Sequence, residues 1–168
     1  MTETPWRPLP SLLAQLKAIA VEQMFGRMAD AGFDDVREGH GCVFGFVDLE
    51  HGSRLTDVAE RARLTKQAVG EAVAELERRG YVERVPDPAD GRAKIIKFTE
   101  RGRAAALTGR RLFAEIESEW AERYGEERIA DMRACAEEIL EGYGRAGSTG
   151  PVPVREDQRL TGATASPS

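Results

Sequence analysis

Residues 55–102 read LTDVAERARLTKQAVGEAVAELERRGYVERVPDPADGRAKIIKFTERG, and this stretch decides the fold. Its first half carries two short apolar stripes at helical spacing. Leu55, Val58, Ala59 and Ala62 recur at i, i+3, i+4 and i+7, with Thr56 as the expected N-cap. Val69, Ala72, Val73 and Leu76 form a second stripe, capped by Thr65 and stopped by Gly80. In the second half, residues 81–85 and 94–98 are rich in β-branched and aromatic side chains and read as strands. Two prolines, Asp87, Asp90 and Gly91 lie between them, so the pair is a hairpin whose far end holds Arg92 out into solvent.

Two amphipathic helices joined by a tight turn and followed at once by a hairpin make a winged helix-turn-helix. Each helix is too short to be stable alone, so the facing stripes must bury each other. That leaves the outer face of the second helix rigid, exposed and of a diameter that fits a DNA major groove. The hairpin stands to one side, where Arg92 can enter a neighbouring minor groove, whose narrow form attracts arginine. Thr65, Lys66 and Gln67 open the second helix and are candidate base or backbone contacts, although Thr65 is first a cap. Lys94 and Lys97 flank the wing and can meet phosphates or serve as edge protection. Arg54, just before the first helix, is a further candidate for a backbone phosphate.

Outward from this segment the chain is helical. Leu12, Leu13, Leu16, Ile19, Met24, Phe25 and Met28 predict a long helix ended by Gly32. A shorter helix is expected around Cys42, Val43, Phe46, Val47 and Leu49, before Gly52. A helix from about Glu100 carries Leu107, Leu112, Ile116 and Trp120. Another from about Glu126 carries Ile129, Met132, Ala136, Ile139, Leu140 and Tyr143, close to a heptad seam on which Cys135 is expected to be buried. From Gly144 the composition changes: 13 of the last 25 residues are Gly, Pro, Ser or Thr, so residues 144–168 are expected to be a disordered tail. The fold class is therefore mainly α with a small β-hairpin wing.

The totals suit one domain of 168 residues with 41% apolar side chains. The net charge of −5 argues against nucleic acid when taken over the whole chain. Its distribution argues otherwise. Residues 53–103 hold twelve Lys or Arg against nine Asp or Glu, a local +3, which leaves twelve against twenty, or −8, elsewhere. Two cysteines do not make a disulfide framework. No apolar run approaches the roughly 18 residues of a membrane helix, and a soluble cytoplasmic protein is expected.

The order LTDVAERARLTKQAV, LERRGYVERVPDPADGRAK and TERG resembles the MarR (multiple antibiotic resistance regulator) family of bacterial transcription factors. The resemblance covers about residues 8–143 and is strongest over 55–102. The family's wing reads Asp-x-Arg-Asp-x-Arg. Here Asp87, Asp90 and Arg92 match, and Ala89 replaces the middle arginine. The resemblance implies an obligate homodimer, with dimerisation helices at about 8–31 and 100–143 around a winged helix-turn-helix at about 53–102. It also implies a pseudo-palindromic operator and a small lipophilic or aromatic effector. Trp6, Phe25, Phe44, Phe46, Phe113 and Trp120 are candidates to line the effector's site, or else belong to the core or the dimer interface.

Three features depart from the pattern. Arg63 stands where the turn often has glycine, at a cost of roughly 1 kcal/mol if its backbone is left-handed. Gly70, inside the recognition helix and among the DNA-facing candidates, costs about 1 kcal/mol against alanine. Glu71 and Glu75 oppose phosphates, unless Glu71 accepts from a cytosine amino group or Glu75 simply pairs with Arg79 at i, i+4.

The leading expectation is a DNA-binding regulator, in which Asp87 and Asp90 brace the wing. The alternative is a winged-helix protein-interaction module, which the acidic recognition helix favours slightly. No phosphate loop or nucleophile signature points to an enzyme, and no cofactor is expected. His40 and Cys42 lie close together, but two ligands make a weak zinc site, so no metal is expected.

Overall fold

The computed structural model describes residues 6–145. The expected tail therefore lies outside the described residues from 146 onward, and the backbone at 144 and 145 still belongs to a helix. The elements run α1 (Leu9–Asp30), a 3-10 turn (Glu38–His40), α2 (Gly41–Phe46), β1 (Ser53–Arg54), α3 (Leu55–Ala62), α4 (Lys66–Arg78), β2 (Val82–Asp87), β3 (Asp90–Phe98), α5 (Glu100–Tyr124) and α6 (Glu126–Arg145). The chain forms two compact units that divide between Ser118 and Glu119. Among the described residues no helix is long and apolar enough to cross a membrane.

In the first unit the core is built from the stripes the sequence marks. Val58 and Ala59 of α3 and Val69, Val73 and Leu76 of α4 are buried, with Val43 of α2 and Ile96 of β3 against the same interior. The sheet has three strands in the order β1-β3-β2, all antiparallel. The hairpin is longer than the expected runs, and it gains β1 through the pairs Ser53↔Ile96 and Arg54↔Ile95. Pro86 has no N–H to give and lies on β2, an edge strand, beside the irregularity at Pro86/Asp87.

The caps explain where the helices stop. Thr65 accepts the Ala68 N–H at 3.1 Å and starts α4. Gly80, at φ +74, ends it with the paired bonds Tyr81 N–H to Leu76 O and Gly80 N–H to Glu77 O. Thr56 is not the N-cap of α3. That place falls to Arg54, with no side-chain cap, because pairing of β1 with β3 holds residue 54 extended; the Thr56 hydroxyl donates to Asp57 instead. Arg63, at φ 54, is the only non-glycine residue with positive φ among the described residues, so the turn does demand a left-handed residue there.

The second unit contains the end of α5 and α6. Among the described residues, every residue of α6 from Ala130 to Glu141 is exposed. Cys135 is accordingly exposed, not buried as the seam implied.

Candidate nucleic-acid interface

Thr65, Lys66 and Gln67 are all exposed at the start of α4, as expected of a helix that presents its N-terminus outward. Gln67 donates to Glu71 at 3.1 Å, so the nearest carboxylate is partly engaged within the helix. Gly70 is half-buried, and a side chain there would meet Leu55 at 3.8 Å; it faces α3 rather than open groove space. Glu75 does not share the outer face with Lys66. It is turned toward the 3-10 turn, where its Oε2 lies 3.1 Å from His40 Nε2, and it also pairs with Arg79.

The wing is braced, though not as the motif alone would have it. Asp87 is 8% exposed. Its Oδ1 accepts the Ala89 N–H at 2.8 Å, and its Oδ2 takes Nε and Nη2 of Arg54 at 2.6 and 2.5 Å. The Ala89 amide, and then Arg54, hold the Asp87 carboxyl below its ordinary value of 3.8 against the opposing effect of burial. Asp90 Oδ1 accepts the backbone N–H of Arg92 at 3.1 Å. Both aspartates thus fix backbone, and among the described residues no carboxylate pairs with the exposed Arg92 guanidinium. Arg54 gives its Nε and Nη2 to Asp87. No local pattern could have revealed that, since the two are 33 residues apart. Lys94 is exposed and Lys97 half-buried on β3.

A polar cluster with no local signature locks the base of the wing. Tyr81, fully buried, donates its hydroxyl to Asp35, and Arg101 lies 4.3 Å over the Tyr81 ring while bonding Asp35 at 3.2 Å. Burial and then Asp35 push the Tyr81 phenol up to about 12. Phe44 stacks on Phe98, centroids 5.7 Å apart, and meets Tyr81 edge-on.

Beside this core lies a cavity of about 960 Å³ between α1, α2 and α5. Phe25, Phe44, Phe46 and Phe113 line it, with Lys17 and Arg110 as its cations. Trp6 and Trp120 do not line it; Trp6 is 85% exposed. Cys42 is buried on the cavity wall, its thiol donating toward Gly39 O and pushed up by burial. Among the described residues no group of three or more His, Cys, Asp or Glu is arranged to hold a metal ion.

Residues 37–93 match the model of the MarR family. No curated protein sequence matches the chain. Solved structures share the fold at low identity. Wild-type MarR from E. coli in its apo form is 17% identical with a TM-score of 0.65, over 80% of this chain and 98% of that one. The S. aureus MepR–DNA complex is 20% identical with a TM-score of 0.64, over 81% and 98%. CouR from Rhodococcus jostii RHA1 bound to p-coumaroyl-CoA is 24% identical with a TM-score of 0.62, over 76% and 88%.

Proposed function

We propose that this chain, whose residues 37–93 match the model of the MarR family, is a homodimeric transcriptional repressor that holds a pseudo-palindromic operator and is released by a small lipophilic effector. Thr65, Lys66 and Gln67 enter the major groove from the start of α4, with Glu71 behind them, while Arg92 reaches the adjacent minor groove and Lys94 a phosphate. The observation that carries this reading is the wing tip. Its two aspartates are occupied with backbone and with Arg54, which leaves the Arg92 cation free at the end of a braced hairpin.

Dimerisation is supported by the apolar side chains that α1 and α6 leave exposed: Leu13, Leu16 and Ile19 on the one, Ile139, Leu140 and Tyr143 on the other. Buried in a two-fold interface, such helices would set two copies of α4 about one turn of DNA apart. The effector's place is the aromatic cavity between α1, α2 and α5, whose Lys17 and Arg110 suit a ligand with an anionic group. Relatives of the same fold are seen on DNA and with an acyl-CoA. An effector that prefers dimers with α4 at the wrong spacing lowers operator affinity by the ratio of its affinities for the two states.

Fluorescence anisotropy tests this with DNA from upstream of the protein's own gene. Wild type should prefer one pseudo-palindrome over random duplex. Log affinity should fall with log salt by roughly 0.9 per neutralised phosphate, and Arg92→Ala should weaken binding about tenfold and reduce that slope. A wild type with no preference for any duplex would favour a protein-interaction module instead.

A further inference from the structure

Three segments of the first unit converge on one carboxylate. Asp35 lies in the link that leaves α1, Tyr81 in the link that leaves α4, and Arg101 in the first turn of α5. The Tyr81 hydroxyl donates to Asp35. Arg101 Nη2 reaches both Asp35 oxygens, at 3.2 and 3.3 Å, and the Tyr81 hydroxyl at 3.0 Å. Arg101 Nη1 donates to the Arg79 carbonyl at 3.0 Å, and the Arg79 side chain donates to the Asp35 carbonyl. With its phenol pushed up to about 12 by burial and then by Asp35, Tyr81 stays a donor throughout the neutral range. Among the described residues α1 and α5 make few close backbone approaches to α3 or α4, so side-chain ties of this kind carry the connection.

We propose that Asp35 is a positioning residue for DNA reading: by holding Tyr81 and Arg101 it fixes the angle of the winged helix to α1, and so sets the half-site spacing that a dimer accepts. The proposal rests on the dimeric regulator reading above. Its lever is long. The cluster grips the end of α4 opposite Thr65, Lys66 and Gln67, and the 13 residues of α4 span about 20 Å. A tilt of about 10° at the cluster carries the start of α4 by roughly 3.5 Å, close to the ~3.4 Å rise of one base pair. The winged helix tilts as a body, because α3 and α4 share a buried core. In a two-fold pair both copies move, which doubles the change in spacing.

The test is anisotropy on pseudo-palindromes whose half-sites are moved together or apart by one and two base pairs, with a single half-site duplex as control. Wild type should lose about tenfold in affinity at the first step away from its optimum. Asp35→Asn keeps the shape and removes the charge, while Tyr81→Phe keeps the ring and removes only the hydroxyl. Both should flatten the preference to less than about threefold or move its optimum by one base pair. Half-site affinity and salt slope should stay as in wild type. A loss of affinity alike at every spacing, or a wild-type preference kept in both variants, overturns the proposal. A wild type that prefers no duplex defeats the regulator reading separately, and electron spin–spin distances then decide the tie. Labels at Glu22→Cys and Lys66→Cys in one chain, with Cys42→Ala and Cys135→Ser and dilution by unlabelled protein, read α1 against α4 without DNA or a partner. A distance distribution that shifts or broadens in Asp35→Asn and Tyr81→Phe supports the tie, and an unchanged one overturns it.

Discussion

Arg54 and Asp87, 33 residues apart in sequence, meet over a single carboxylate oxygen, with Nε at 2.6 Å and Nη2 at 2.5 Å from Oδ2. Arg54 is also the last residue before α3. The contact therefore fastens the wing to the start of the helix-turn-helix, so the direction in which Arg92 points is set relative to α4. A charge-assisted contact of this kind gives geometry as well as energy.

Arg54→Ala frees the hairpin without removing a group that meets DNA. Operator affinity should drop by about three- to tenfold, the cost of ordering the wing at the interface. The salt slope should be unchanged, whereas Arg92→Ala lowers it by about 0.9. An equal loss of slope in Arg54→Ala would return Arg54 to the phosphate contacts.

Asp87 makes the wing sensitive to acid. Its carboxyl is lowered in the folded chain, by the Ala89 amide first and Arg54 second, from an ordinary value of 3.8. A lowered folded value means that the stabilisation is complete above the ordinary carboxylate range and is lost as pH falls through the folded value. Protection of the Ala89 amide against hydrogen exchange should thus hold at neutral pH and persist through the ordinary carboxylate range, failing only as pH falls below it. In Asp87→Asn the protection should be weak at every pH and show no such step.

Arg63 holds φ 54 in the turn between α3 and α4. Glycine has no Cβ to clash there, so Arg63→Gly should stabilise the chain by up to about 1 kcal/mol, less its extra freedom when unfolded. The melting temperature should rise by about 2–4 °C. A fall would mean that the arginine side chain contributes more than its backbone costs.

Two glycines of α5 should respond to alanine with opposite sign. At Gly102, which is buried, a Cβ would run into the backbone carbonyl of Tyr81. Gly102→Ala should therefore cost about 1–3 kcal/mol in chemical denaturation. At Gly109 nothing lies within 4 Å, so alanine should stabilise the helix by about 0.5–1 kcal/mol. Equal effects at the two positions would contradict the close approach of Tyr81 to α5.

The helices of the winged core and the hairpin were legible because each rests on a local rule. Spacing of apolar residues gave α3 and α4, Thr65 and Gly80 gave the limits of α4, and Pro86, Asp87, Asp90 and Gly91 gave the turn. Thr56 misled because cap preference is local while the start of α3 is fixed by β1, a two-residue strand with no periodicity to detect. Cys135 misled because a heptad seam states only what a helix can bury, and among the described residues Cys135 is exposed.

What the sequence determined by itself is the class of fold and the exposure of Thr65, Lys66, Gln67 and Arg92, since short-range periodicity and turn chemistry act over a few residues. The tertiary structure alone decided the partners: Arg54 with Asp87, His40 with Glu75, and Tyr81 with Asp35 and Arg101. Each of those contacts joins groups 20 or more residues apart. Which charges meet across such a distance follows from how the elements pack, a relation that no local pattern of residues encodes.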